Sequence, residues 1–401
     1  MPRFLLAALT LFSLGTSLFA TEFDTGKLSE LRAAIRKSLS AHLISGAVVV
    51  VGSKTGVAHT EVDGSRNLAT DDKMTADTVF RIASMTKPIV ALAVMQLQDA
   101  GRLNVNDPVE KHLPEFTGQW LNGGKADDGG MVLKKPSRPI TIRDLLTHTS
   151  GLPGNYPTKF GELYFTRHLT LAQSIYMQSQ RSLDFEPGTK WAYCNAGIDT
   201  LGRIVEVISG QPFETYLQQS IFHPLGMHET ECFIRPDQRP RIAVVYESKD
   251  GKLIEVQRPL IGLELNAKHP MPAGGLVSTA TDLAKLYQCL LNGGELHGRR
   301  IIQAATLAEM TKTQTGDLAT GFVDGMSFGY GFAVVKEPKG VNAMLSTGTY
   351  GHGGAFGTQG WVDPKQDLFV IILVARAGMP GGDGHELRRA VQEIAVDAIK
   401  K

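Results

Sequence analysis

The sequence predicts an α+β fold, in which an antiparallel sheet is assembled from both ends of the chain, flanked by helices, and interrupted by an inserted, mostly helical region. Three observations predict it. Short β-branched runs bounded by turn residues occur soon after the N-terminus and again in the last quarter. Helical periodicities fill the middle, and no linker or internal repeat divides the chain. The sheet region is expected at about 21–83 plus 325–401, the helical region at about 84–324, and a single domain over 21–401.

With 401 residues, 42% apolar and 20% charged, the chain can bury a sizeable core. Lys plus Arg number 41 against 40 Asp plus Glu, a formal charge of +1, and no long run of either sign appears. That balance argues against a nucleic-acid or polyanion partner. Residues 1–20 read as a secretory signal: Arg3 precedes the apolar stretch Phe4 to Phe19, and Ala20 ends it. The stretch is shorter than a membrane-spanning helix needs, so no membrane anchoring is expected once it is removed. Export to a periplasm or the medium follows. Cys194, Cys232 and Cys289 cannot all pair and match no metal spacing, so they are expected to be mostly buried small side chains, with no metal or organic cofactor.

Each element has its own signal. Leu28, Leu31, Ile35, Leu39 and Leu43 predict an amphipathic helix over about 25–44. Ala47 to Val51 and Val57 to Val62 read as a hairpin, and Thr78 to Ile82 as a third strand. Ile89 to Met95 is apolar on all sides, as in a central buried helix. Gly118 to Pro139 reads as loops, Thr141 with Asp144 as a capping box, and 172–179, 198–209 and 282–291 as helices. Phe328 to Val335, Gly351 to Asp363 and Leu368 to Ala375 read as strands, and about 385–399 as a closing helix.

Three segments can carry chemistry. Ser84 and Lys87 lie three apart at the head of the buried helix, on one helical face, with Pro88 fixing the helix start. A serine hydroxyl needs an adjacent base. Burial would have to lower the lysine pKa by about three units, or roughly 4 kcal/mol, for it to act as that base; protonated, it would instead lower the pKa of a neighbouring tyrosine. Tyr193-Cys194-Asn195 follows a Pro-Gly turn and can present its side chains to a cleft; Tyr193 is a proton carrier, and Asn195 a partner for a substrate amide or for the lysine. Tyr350-Gly351-His352-Gly353-Gly354-Ala355 is a strand weakened by glycines, whose usual reason is a ligand or backbone passing close by. The N–H groups of Ser84 and Ala355 can then form an oxyanion hole, beside a hydrogen-bonding or partly cationic His352. Each segment alone also has a bland structural reading: an N-capping serine with a snorkelling lysine, a half-buried tyrosine, a Gly-rich bulge.

Taken together and in this order, with Tyr193 109 residues after Ser84 and His352 159 further on, the segments resemble the serine β-lactamase and penicillin-binding superfamily. The closest likeness is to its class C-type branch of D-alanyl-D-alanine carboxypeptidases, family VIII carboxylesterases and related secreted serine hydrolases. Leu145-Leu146-Thr147-His148-Thr149-Ser150-Gly151-Leu152 and Pro272-Ala273-Gly274-Gly275-Leu276 look like further family segments. The resemblance implies a β-lactamase/transpeptidase-like catalytic domain, with Ser84 as acylated nucleophile, Lys87 and Tyr193 sharing acid–base duty, Asn195 as third polar partner, and His352-Gly353-Gly354 replacing K-T-G. A largely neutral His352 in place of that lysine implies weak carboxylate binding, and so esters or small amides over efficient β-lactam hydrolysis. A β-lactamase, a D,D-peptidase and a ligand-binding sensor without turnover are the alternatives.

Two decoys are set aside. Lys54-Thr55-Gly56 spells K-T-G but precedes Ser84 in a hairpin turn. Gly325-Met326-Ser327-Phe328-Gly329 matches the nucleophile elbow of α/β-hydrolases, which needs a preceding strand and a following helix; neither is predicted, so Ser327 is expected to be structural.

Overall fold

The computed structural model describes residues 21–257 and 259–400; the expected signal segment lies outside them. At its centre is an antiparallel sheet of eight strands. In chain order these are β1 (Gly46–Ser53), β2 (Gly56–Asn67), β3 (Asp72–Lys73), β4 (Met326–Phe328), β5 (Ala333–Val335), β6 (Tyr350–Gly353), β7 (Gln359–Asp363) and β8 (Leu368–Leu373). Their spatial order is β4-β5-β6-β7-β8-β1-β2-β3. The N-terminal β1 therefore pairs with the C-terminal β8, Val48 opposite Leu373 and Val51 opposite Val370.

Alternation along the strands divides the core into two layers. Val49, Val51, Val370 and Ile372 pack against Leu31, Ile35, Val391 and Ala395 of the terminal helices. Val48, Val50, Phe369 and Ile371 face the opposite side, where helices Thr86–Asp99 and Ala280–Leu291 lie. All eight residues of β1 are buried, which is why it reads as an uninterrupted valine run. Ile89 to Met95 is solvent-free on every side of its helix, as its composition requires.

Several expected elements differ in detail. The helix expected over 25–44 is two, Thr25–Leu28 and Leu31–Ser40, the first capped by the Asp24 carboxylate. Only Phe80–Arg81 of the 78–82 segment is a strand, and it pairs with Val277–Ser278 outside the main sheet. Its flanking amides are taken by loops, Val79 N–H donating to the Arg241 carbonyl and Ile82 N–H to that of Leu276. The 118–139 loop contains a hairpin, Leu121–Lys125 with Met131–Lys134. The strands expected over 328–335 and 351–363 are each broken by a turn, because Gly331 and Gly357 adopt positive φ of 75° and 79° and reverse the chain. The capping box at Thr141 and Asp144 is present and opens helix Ile142–Leu146. All three cysteines are free and buried. Among the described residues no helix is long and apolar enough to cross a membrane, and no group of three or more His, Cys, Asp or Glu is placed to hold a metal ion.

Candidate active site

The segment after Arg81 tightens into a 3-10 turn, Ala83–Met85, and runs on into helix Thr86–Asp99. Ser84 sits at the centre of that turn, at the mouth of the helix. Ala83 before it has φ +48°, a left-handed conformation that costs an alanine of order 1–3 kcal/mol. The Thr86 hydroxyl holds the turn by donating to the Ala83 carbonyl at 2.7 Å.

Lys87, one turn on, is fully buried. Its Nζ lies 3.0 Å from Ser84 Oγ and donates to the Ala273 carbonyl at 2.6 Å. Burial pulls the amine from its ordinary 10.5 down to about 7, against a smaller upward pull from the Asp199 carboxylate. That is the depression a lysine base requires. Tyr193 Oη donates to Ser84 Oγ at 2.8 Å from the opposite flank, and Lys87 Nζ is 4.7 Å from the centre of its ring. Burial pushes the phenol above its ordinary value, so Tyr193 is held as a neutral phenol.

Strand β6 brings the third segment to the same place. A Cβ on Gly354, just past the strand, would lie 2.6 Å from the Ile82 carbonyl oxygen, so only glycine lets the chain approach the Ser84 turn so closely. Ser84, Tyr193, His352, Gly353, Gly354 and Ala355 all line one cavity of about 480 Å³ whose remaining wall is largely apolar, with Phe322, Met326, Phe328 and Met379. Neither the Ser84 nor the Ala355 N–H donates to any acceptor among the described residues, so both remain free for a substrate oxygen. His352 is buried and pulled down to about 4 by burial and by Lys87, which makes it neutral and corrects the expectation of a partly cationic group. Its Nδ1 is 2.6 Å from the Gly353 carbonyl, and its Nε2 has no partner.

Asn195 makes no hydrogen bond to Lys87. It opens helix Asn195–Ser209, three residues earlier than predicted, and its buried Oδ1 has no hydrogen-bond partner. Lys87 Nζ instead meets the Ala273 carbonyl on the main chain. Ser327 lies inside β4, buried, with its hydroxyl 3.1 Å from that of Thr315, and no helix follows it. Two residues were missed. His148, inside the Leu145–Leu152 segment, accepts the Cys194 N–H on Nδ1 at 3.2 Å and packs its ring 4.6 Å from that of Tyr193. Asp199 accepts the Ala273 N–H at 2.8 Å and the Tyr164 hydroxyl at 2.6 Å. In the sequence Asp199 stood only as a carboxylate within the helix expected over 198–209.

A hydroxyl flanked by a depressed amine and a phenol, at the head of a buried helix beside an antiparallel sheet, defines a serine hydrolase. A sequence model of the Beta-lactamase family matches residues 31–394, and the chain belongs to that family. Curated relatives include protein Rv1367c of Mycobacterium tuberculosis (30% identical, covering 86% of this chain and 88% of the relative). Esterase EstB of Burkholderia gladioli is 29% identical over 95% of this chain and 97% of its own, and penicillin-binding protein 4 of Amycolatopsis lactamdurans is 30% identical over 84% and 81%. Among solved structures, EstCE1, described as a hydrolase with promiscuous acyltransferase activity, superposes with a TM-score of 0.77 at 25% identity, covering 93% of this chain and 98% of its own.

Proposed function

We propose that this chain is an exported hydrolase of small, uncharged esters, with Ser84 as the acylated nucleophile. The observation that carries the reading is the convergence of Lys87 Nζ at 3.0 Å and Tyr193 Oη at 2.8 Å on Ser84 Oγ. In the first half-reaction the neutral amine takes the Ser84 proton, Oγ adds to the ester carbonyl, and the N–H groups of Ser84 and Ala355 receive the oxyanion. Tyr193 then protonates the departing alkoxide and is recharged by the Lys87 ammonium. In the second, water attacks the acyl-enzyme, Lys87 accepts its proton, and Ser84 departs with one.

Preference for uncharged esters over β-lactams or D-alanyl peptides is supported by the charge of the cavity. Among its described lining residues His352 is neutral, and the one carboxylate, Asp383, is ion-paired with Arg388 at 3.1 Å. No free cation faces a substrate carboxylate there. The name of esterase EstB supports the same side, and that of penicillin-binding protein 4 the other. Export rests on the pattern of residues 1–20, and N-terminal sequencing of the mature protein tests it.

Intact mass spectrometry after incubation with a fluorophosphonate and, separately, with a penicillin tests the nucleophile and the substrate class together. The expected result is a stoichiometric fluorophosphonate adduct on Ser84, abolished in Ser84→Ala, with many turnovers of p-nitrophenyl butyrate and little penicillin adduct. A long-lived penicillin adduct without ester turnover would replace this reading with that of a binding module.

A further inference from the structure

Beyond the Ala273 main chain from Lys87 lies a buried carboxylate that the reaction above does not use. Asp199 is 1% exposed, on helix Asn195–Ser209. It is tied to the lysine through a single residue. Lys87 Nζ donates to the Ala273 carbonyl at 2.6 Å, and the Ala273 N–H donates to Asp199 Oδ1 at 2.8 Å. The second carboxylate oxygen accepts the Tyr164 hydroxyl at 2.6 Å, and Tyr164 is in turn stacked on Tyr156 with ring centres 4.5 Å apart. A carboxylate buried this deeply persists only where an opposite charge or strong donors compensate it.

We propose that Asp199 is a positioning residue for Lys87: it anchors the Ala273 main chain against the amine and compensates the charge Lys87 acquires when it takes the Ser84 proton. The proposal rests on the reading of Ser84 and Lys87 given above. The surrounding ionisable groups leave this duty to Asp199. Tyr193, Cys194, His148 and His352 face Lys87; the phenol and thiol are pushed up and both imidazoles down by burial, so all four are neutral near pH 7. Tyr164, Tyr156 and Cys194 face Asp199 and are likewise neutral, and Arg181 acts on Tyr156 and Cys194. Asp383 acts on Tyr193 and His352 from across the cavity. Burial raises Asp199 to about 6, with Lys87, Tyr164 and the Ala273 amide pulling the other way, so it is largely ionised where Lys87 changes state.

The test is the pH profile of Asp199→Asn, followed both as kcat/KM for p-nitrophenyl butyrate and as the rate of fluorophosphonate labelling. Losing the carboxylate removes an upward pull on Lys87, so the acid limb is expected to move down by about one pH unit, while kcat on the plateau falls at least about tenfold because the ammonium is no longer compensated. A folded variant with lower kcat and an unmoved limb would overturn the proposal, since a merely structural role lowers activity without touching the titration. If Asp199→Asn does not fold, Tyr164→Phe, which leaves the carboxylate but weakens its hold on its charge, is expected to move the limb in the same direction by less; an unmoved limb there also overturns it. Ser84→Ala is the control for the underlying reading: persistent labelling in that variant would reject Ser84 itself and is independent of Asp199.

Discussion

Replacing Lys87 with Met keeps the length of the side chain and removes a buried amine. In the folded protein that amine sits near 7, against an ordinary 10.5, a difference of about 3.5 units or about 5 kcal/mol between its two protonation states. Between pH 7 and 10.5 the unfolded chain therefore holds a proton that the native chain has released, so native stability rises with pH across this window and is lowest below it. Evaluated between pH 6 and pH 9, the wild type gains about 3 kcal/mol from this one group. Lys87→Met gains nothing from it. The variant also leaves the Ala273 carbonyl without its donor, at a cost of about 1–3 kcal/mol, but that cost is the same at both pH values and cancels in the difference. The assay is urea unfolding followed by tryptophan fluorescence, at pH 6 and pH 9, for both proteins. Stability curves that run parallel with pH would show that Lys87 is not depressed in the native state, and the case for it as a base would fall with them.

Other outcomes follow from the same geometry. For the wild type, kcat/KM on p-nitrophenyl butyrate should rise with pH through about 7 as Lys87 deprotonates; a profile that falls through that range would make the ammonium the working form. Tyr193→Phe should stay folded and lose about 10²- to 10⁴-fold in kcat, as read by steady-state kinetics beside a thermal melt; a folded variant with full activity would remove the phenol from the mechanism. Gly354→Ala pushes a Cβ to 2.6 Å from the Ile82 carbonyl oxygen, so its melting temperature should drop by an amount equivalent to about 1–3 kcal/mol, with labelling of Ser84 slowed as the turn shifts. Ser327→Ala removes a hydroxyl pair with Thr315, about 1 kcal/mol of stability, and should leave turnover intact; loss of turnover would revive the nucleophile-elbow reading.

The fold and the meeting of Ser84 with Lys87 were legible because their signals are local or ordered along the chain. Helical spacing alone puts Ser84 and Lys87 on one face, and the valine run of β1 announces a strand buried on both sides. The depth of Lys87 was also readable, since Ile89 to Met95 offers water no face. What stayed hidden depends on contacts between distant segments. Asp199 meets Lys87 only through Ala273, 74 residues further on, and no periodicity reports such a bridge. The Ala273 carbonyl that Lys87 meets at 2.6 Å was not foreseen, because only side chains were read and not the main chain. Strands β4 to β7 were read as two because Gly331 and Gly357 look the same in sequence whether they weaken a strand or reverse it. The charge state of His352 turned on burial by neighbours from the helical region, which its own strand does not reveal.

The pairing of β1 with β8 also sets when this molecule can come into being. Val48 waits for Leu373, and β8 is the strand that joins the two halves of the sheet. Until nearly the whole chain has left the ribosome, the early hairpin and the helix that carries Lys87 have no sheet to rest on. Such distant closure makes folding slow. A polypeptide losing its last thirty-four residues, from Leu368 on, would forfeit the seam itself, and with it the frame around the cavity, although Ser84, Lys87, Tyr193 and His352 would all still be present.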